Sequence, residues 1–192
     1  MKRMIYYLCA WVCLMLTMPV YAQQTVTISG SDLTDAMLSS NASNPAAANV
    51  NYNTYSRITA TAWTNGGATK QRTLLRFNLS AIPQGSIVQS ATLYLNSDPT
   101  KTSSSSAEAN SQLSGSNAFY LEKVSATWTN TTVTWNNQPG TTTTGRLWTG
   151  PSTSVTENLQ INLTSFVQEW VNNSAVNYGL KMILENETSR SG

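Results

Sequence analysis

The feature that most restricts the fold is an alternation of period two running through residues 72–95. In an extended strand successive side chains point to opposite faces. Thr73, Leu75, Phe77 and Leu79 therefore share one face, while Arg72, Arg76 and Asn78 lie on the other with Leu74. Ile87, Ala91, Leu93 and Leu95 line one face of a second run. Between the runs stands Ile82-Pro83-Gln84-Gly85, a turn signal that begins with a φ-fixing proline and ends in glycine. A pair of half-buried strands is predicted.

Shorter strands are predicted over 25–29, 57–63, 118–124, 132–135, 159–163 and 178–184, each rich in Thr, Val, Ile or aromatic residues. Turn residues such as Asn65-Gly66-Gly67 and the run from Asn136 to Gly140 punctuate them. Many short strands with frequent turns predict an all-β antiparallel sandwich of jelly-roll-like form. One short helix is predicted over 164–171, because Phe166, Val167, Trp170 and Val171 share a face at helical spacing and Thr164 or Ser165 can cap its first turn. The Ser-, Thr- and Gly-dominated stretches 99–117 and 140–158 are predicted as loops outside the core. No repeat of solenoid or propeller period is visible.

Residues 1–22 have the form of a secretory signal peptide. Lys2 and Arg3 make a basic start, residues 4–18 are uncharged and apolar, and Pro19-Val20-Tyr21-Ala22 offers a cleavage site before Gln23. The apolar run is short for a membrane span. The expectation is a secreted protein, extracellular or at the cell surface, with one domain over 23–192 and no membrane association after cleavage. Cys9 and Cys13 both lie in the leader, so the remaining 170 of 192 residues must hold together by core burial alone. Removing Lys2 and Arg3 leaves nine basic against nine acidic residues and takes the formal charge from +2 to zero. Those cations are scattered, so no nucleic-acid partner is expected. Residues 185–192 are polar and end without a further apolar strand, although inner strands of a sandwich need partners. The chain either stops there naturally or lacks its last strand, and the second is the expectation.

The chain contains no histidine, which excludes a Ser-His-Asp triad, a Cys-His pair and histidine-ligated zinc. A glycosidase would need two facing carboxylates from Asp32, Asp35, Asp98, Glu108, Glu122, Glu157, Glu169, Glu185 and Glu187. Their spacing marks no pair, and no enzyme activity is expected. Trp63, Trp148, Tyr52 and Tyr55 are candidates for stacking on sugar rings, since a flat aromatic offers pyranose C–H groups an apolar face and keeps a polar edge. Simple packing is the alternative for each. Trp135 and Trp170 read as core, and Trp128 as either. Arg57, Lys70, Arg72 and Arg76 could pair with the carboxylates of an acidic polymer, or simply solvate a strand face. Asp32 and Asp35, with nearby Asn carbonyls, could hold a structural calcium, although no EF-hand spacing is present.

Three ordered motifs carry a resemblance. Leu74-Leu75-Arg76-Phe77-Asn78-Leu79-Ser80-Ala81-Ile82-Pro83 precedes Ala91-Thr92-Leu93-Tyr94-Leu95; Trp128 precedes Val133-Thr134-Trp135-Asn136-Asn137-Gln138-Pro139; and Leu163, Thr164, Val167, Gln168 and Trp170 precede Asn177-Tyr178-Gly179. This pattern resembles the DNRLRE domain family over 35–184, nearly the whole of the chain after the leader. The resemblance implies a β-sandwich of secreted bacterial proteins, often beside polysaccharide-degrading or surface domains. Some members are carbohydrate-binding modules for alginate-like polymers, which they do not hydrolyse. The sequence departs from the pattern at Asn78 and Asn162, where Asp is usual, and at Asn130, where Glu is common. The family also continues with a further strand after the position of Arg190. The expected function is a non-catalytic extracellular carbohydrate-binding module for an acidic polysaccharide such as alginate, partnered by polysaccharide and by other surface or catalytic domains. The alternative is a structural or adhesive surface module without sugar binding.

Overall fold

The computed structural model describes residues 23–64, 66–103, 109–188 and 190–192. The predicted leader 1–22, with both cysteines, lies outside the described residues, as do Asn65 and Glu108. Among the described residues the strands are β1 (Leu33–Asn41), β2 (Thr61–Thr64), β3 (Ala68–Phe77), β4 (Thr92–Leu95), β5 (Phe119–Val124), β6 (Thr141–Thr149), β7 (Leu159–Asn162) and β8 (Leu180–Leu184), with one α-helix, α1 (Thr164–Asn172). They form the expected antiparallel sandwich. The larger sheet has the order β1-β3-β8-β5-β6 with β2 also on β3, and β4 pairs with β7 in the smaller one.

β3 organises the molecule. Its residues 69–77 pair with β1, from Leu33 opposite Phe77 to Asn41 opposite Thr69. On its other edge β2 pairs at the start and β8 at the end. Leu74 and Leu75 are both fully buried, because each face of the sheet is covered. Leu75 and Phe77 look toward the small sheet and α1, where Leu121, Ile161, Phe166, Trp170, Leu180 and Met182 complete the main core. Leu74 looks the other way and packs with Ala36, Leu38, Trp128 and Val133, against which Trp135 also packs. Burying one such side chain contributes roughly 1.5–3 kcal/mol, so two clusters can replace disulfides. Trp128, open from sequence, is a core residue whose indole N–H donates to the Tyr178 carbonyl at 2.8 Å.

The helix buries Phe166, Val167, Trp170 and Val171, as its periodicity predicts. Its predicted cap is corrected: neither Thr164 nor Ser165 caps it. Asn162 Oδ1 accepts from the Thr164 amide at 2.9 Å, and the Thr164 hydroxyl accepts from the Ala91 amide at 3.0 Å. One of the neutral departures from the family pattern thus serves as a local backbone acceptor.

Four strand expectations are corrected. Residues 25–29 are irregular, and the first strand is β1. β1 buries four consecutive residues, Ala36 to Ser39, because both its faces are covered, and a strand covered on both sides has no period-two signature. Residues 132–135 are not a strand but an irregular link between two turns. There Asn137 Oδ1 accepts from the amide and hydroxyl of Thr134, and its Nδ2 donates to the Thr132 carbonyl, which offers the backbone an alternative to a ladder. The stretch 140–158 is not all loop, for β6 occupies its first half and pairs with β5 across an irregularity between Leu121 and Lys123. As an outer strand it is exposed along Thr142 to Arg146, so polar residues suffice. Residues 87–91 lie outside β4, and Ile87, predicted on a buried face, is 82% exposed while Val88 packs against the core.

At the end of the chain Ser191 is buried and forms a bridge with Ala62, exchanging amide and carbonyl bonds of 2.9 and 3.0 Å. Gly192 and Ser111 exchange a second pair. No helix among the described residues is long and apolar enough to cross a membrane.

Candidate functional site

The outer face of the larger sheet gathers aromatic and charged side chains into rows. Leu147 packs into the main core, so its neighbours Arg146 and Trp148 on β6 point outward. Trp148 pairs with Tyr120 on β5, and Tyr120 with Ile183 on β8. Thr73 opposite Met182 places Arg72 of β3 beside Ile183. The row from Trp148 to Arg72 crosses three strand spacings, about 14 Å. A second row runs from Arg146 through Glu122 and Lys181 to Leu74.

Trp148 is 57% exposed. Beside it the Arg146 guanidinium lies 3.5 Å over the Tyr120 ring and donates to Glu122 Oε1 at 3.1 Å. Glu122 is buried, and its other oxygen accepts from the Thr141 hydroxyl at 2.6 Å. Tyr120 donates its hydroxyl to Glu185 at 3.1 Å. Lys181 is buried and donates to the Pro139 carbonyl at 2.5 Å. Burial pushes its amine down to about 8, with Arg72 adding to the effect while Glu122 and Glu187 oppose it.

At the far end of the row Arg72 lies 4.4 Å over Trp135, grips Glu187 with two bonds of 2.7 Å and reaches Gln138 at 3.2 Å. It ties the turn after β8 and the loop before β6 to the sheet. Lys70 stands 4.0 Å from Glu187. Arg76 donates to the Trp128 carbonyl at 3.2 Å and lies 5.2 Å over that ring. Among the described residues this face carries five cations (Lys70, Arg72, Arg76, Arg146, Lys181) against the carboxylates Glu122, Glu185 and Glu187 and, at its end beside Asn78, Asp32, an excess of one positive charge.

The residues singled out from sequence therefore separate. Lys70, Arg72, Arg76 and Trp148 share the outer face. Trp63, on β2, is half-buried with Arg190 over its ring at 5.0 Å. Tyr52 bridges to Met37, and the Tyr55 amide donates to the Tyr52 carbonyl, so both lie in the segment before β2. Arg57 pairs with Asp98 at 3.1 Å, away from the outer face. Tyr120 and Arg146 were missed. Reading Arg146-Leu147-Trp148 as a strand would have aligned them with the alternation of 119–124.

Asp32 and Asp35 are engaged differently. The Asp32 carbonyl accepts from the Asn78 amide at 2.8 Å, and its carboxylate accepts from Asn78 Nδ2 at 3.0 Å. Asn78 thus supplies a donor where an aspartate would set a second carboxylate against Asp32. Among the described residues no three Asp, Glu, His or Cys side chains converge as a metal site. Asp35 lies in β1 opposite Leu75, and burial raises its carboxyl above the ordinary 3.8. The folded state holds that proton after the unfolded chain has released it, so stability is lost as pH rises through this window and stays lower at neutral pH. Asp35→Asn is expected to raise the thermal midpoint at pH 7 and leave it unchanged at pH 3, measured by circular dichroism.

A two-layer antiparallel sandwich that presents an exposed aromatic and an excess of cations along one sheet face has the build of a polymer-recognition module. The chain belongs to carbohydrate-binding module family 96, whose model matches residues 35–190. A search of the curated proteins found no match.

Proposed function

We propose that this protein is a non-catalytic extracellular module that binds an acidic polysaccharide such as alginate along the outer face of the larger sheet. The observation that carries the reading is the exposed Trp148 ring at the head of a row with Tyr120, Arg146 and Arg72. The indole stacks on a sugar ring, and the surplus positive charge attracts uronate carboxylates. Arg146 has five N–H donors and gives one to Glu122, which leaves the fork able to take a carboxylate edge-on. Arg72 is held by Glu187, Gln138 and Trp135, and its role is to fix the loops that border the strip.

Absence of catalysis is supported by the lack of histidine and by the engagement of the carboxylates on this face: Glu122 by Thr141 and Arg146, Glu185 by Tyr120, Glu187 by Arg72, Asp32 by Asn78. The leader over 1–22, the single domain over 23–192 and placement beside other surface or catalytic domains belong to the same reading. Affinity electrophoresis in gels containing alginate tests it. Retardation that weakens as salt is added is expected, because surface charges are screened within about 8 Å at physiological ionic strength. Unretarded migration of folded protein in low salt would overturn the proposal.

A further inference from the structure

Away from the outer face, a cleft of about 510 Å³ opens at an edge of the sandwich, where both sheets meet the segment before β2. That volume is typical of small-molecule sites. Its floor is apolar, formed by Leu95, Phe119, Leu159 and Met182, and Tyr94 stands at its rim 62% exposed. The walls are polar. Arg57 and Asp98 pair across it at 3.1 Å, joining the segment before β2 to the loop after β4. We propose that this cleft is a second carbohydrate site, separate from the outer face, and that it takes an uncharged oligosaccharide.

Charge decides the ligand class. The cleft holds two carboxylates, Asp98 and Glu157, and the cation Arg57 is already bonded to Asp98. The hydroxyl and amide of Thr100 donate to Asp98 and, with a smaller contribution from Arg57, hold it down to about 2. The amide and hydroxyl of Thr153 likewise keep Glu157 below the usual carboxylate range. Both acids are ionised throughout the neutral range. A uronate entering here meets Glu157 and the Asp98–Arg57 pair, a net charge of one negative, whereas a neutral sugar offers hydroxyl donors to both carboxylates and lays its C–H face on the apolar floor with Tyr94 at the rim.

The walls are also pre-organised. Asn110 Nδ2 donates to the Glu157 carbonyl at 2.8 Å, and Ser97 bonds both Asn158 Oδ1 and the Thr156 carbonyl at 2.9 Å. Asn117 and Ser152 exchange bonds of 2.7 and 2.9 Å. Loops held this way lose little further freedom when a ligand enters. The two sites would then differ in charge preference: acidic polymer on the outer face, neutral glycan at the edge.

Titration of the full secreted chain with cello-, manno- and xylohexaose and with an alginate hexamer, followed by amide chemical shifts and calorimetry, tests this. At least one neutral hexaose is expected to shift Tyr94, Asn96 and Asp98. Tyr94→Ala should weaken that binding about tenfold, while Trp148→Ala leaves it unchanged. Because Tyr94 is exposed, the variant should fold, and an unaltered thermal midpoint checks this. Asp98→Asn is a second probe, expected to weaken neutral-sugar binding and to admit the alginate hexamer. If none of the three neutral hexaoses shifts these residues, or if Trp148→Ala abolishes their binding while Tyr94→Ala does not, the cleft is not a sugar site. The outer-face reading is judged separately, by retardation in alginate gels and by the alginate affinity of Trp148→Ala.

Discussion

Replacing Trp148 with alanine is expected to weaken alginate binding about 30-fold, the loss of roughly 2 kcal/mol typical of a dominant aromatic contact. The ring is 57% exposed and stands on the outermost strand of the sheet, so little core packing is lost. An exposed substitution changes stability by about 0.5 kcal/mol or less, and the thermal midpoint should move by about 2 °C at most. Trp148→Phe should recover most of the affinity, because a flat ring is retained. Calorimetric titration of the three proteins with an alginate oligomer measures the effect. Undiminished affinity in Trp148→Ala would remove the residue on which the outer-face proposal rests.

Gly179→Ala is expected to cost on the order of 4 kcal/mol or more, among the largest effects a single substitution has. Two causes combine. Gly179 has φ of +86°, which an L side chain adopts only with strain. A Cβ built there would also lie 2.0 Å from the Leu75 carbonyl oxygen and 2.9 Å from Arg76 Cα. Those atoms belong to β3, which pairs with β8 through Leu75 opposite Leu180, and the Gly179 carbonyl itself accepts from the Val124 amide at 2.9 Å. Relief would require three strands to shift together. A fall in thermal midpoint of more than about 10 °C should follow, measured by differential scanning calorimetry. Gly85→Ala provides the contrast, since its φ is +79° but nothing lies within 4 Å, and only the backbone strain of about 1 kcal/mol applies. Equal losses in the two variants would show that close approach at Gly179 is not what limits it.

The third motif acquires a physical content from this geometry. Asn177 Nδ2 donates to the Phe77 carbonyl at 2.9 Å, the Tyr178 carbonyl accepts the Trp128 indole, and Gly179 lets the chain pass against β3. The residues of all three motifs meet around the end of β3. Most of the aromatic and cationic residues in them serve the fold: Arg76 lies on Trp128, Trp135 lies under Arg72, which stands just ahead of the first motif, and Trp170 is within 6.4 Å of Phe77. Recognition is proposed for Arg146 and Trp148 on β6, outside the motifs, and for the edge cleft, where Tyr94 and Leu95 come from the first motif.

Local chemistry alone determined that 72–77 form a strand, though not a half-buried one since Thr73, Leu74 and Leu75 are all buried, and likewise the buried face of α1, the turn closed by Gly85 and the absence of histidine-based chemistry. These follow from spacing or composition and need no knowledge of neighbours. Tertiary structure decided where periodicity fails. β1 hides its strand character because both faces are covered, and β6 hides it because most of one face meets water. It also decided which cations are held in place and which border the strip, since Arg72 and Glu187 are 115 positions apart and meet only when β3 and β8 pair. A period can be read within one segment, whereas a shared face depends on the register between segments, and that register is set by burying both layers at once.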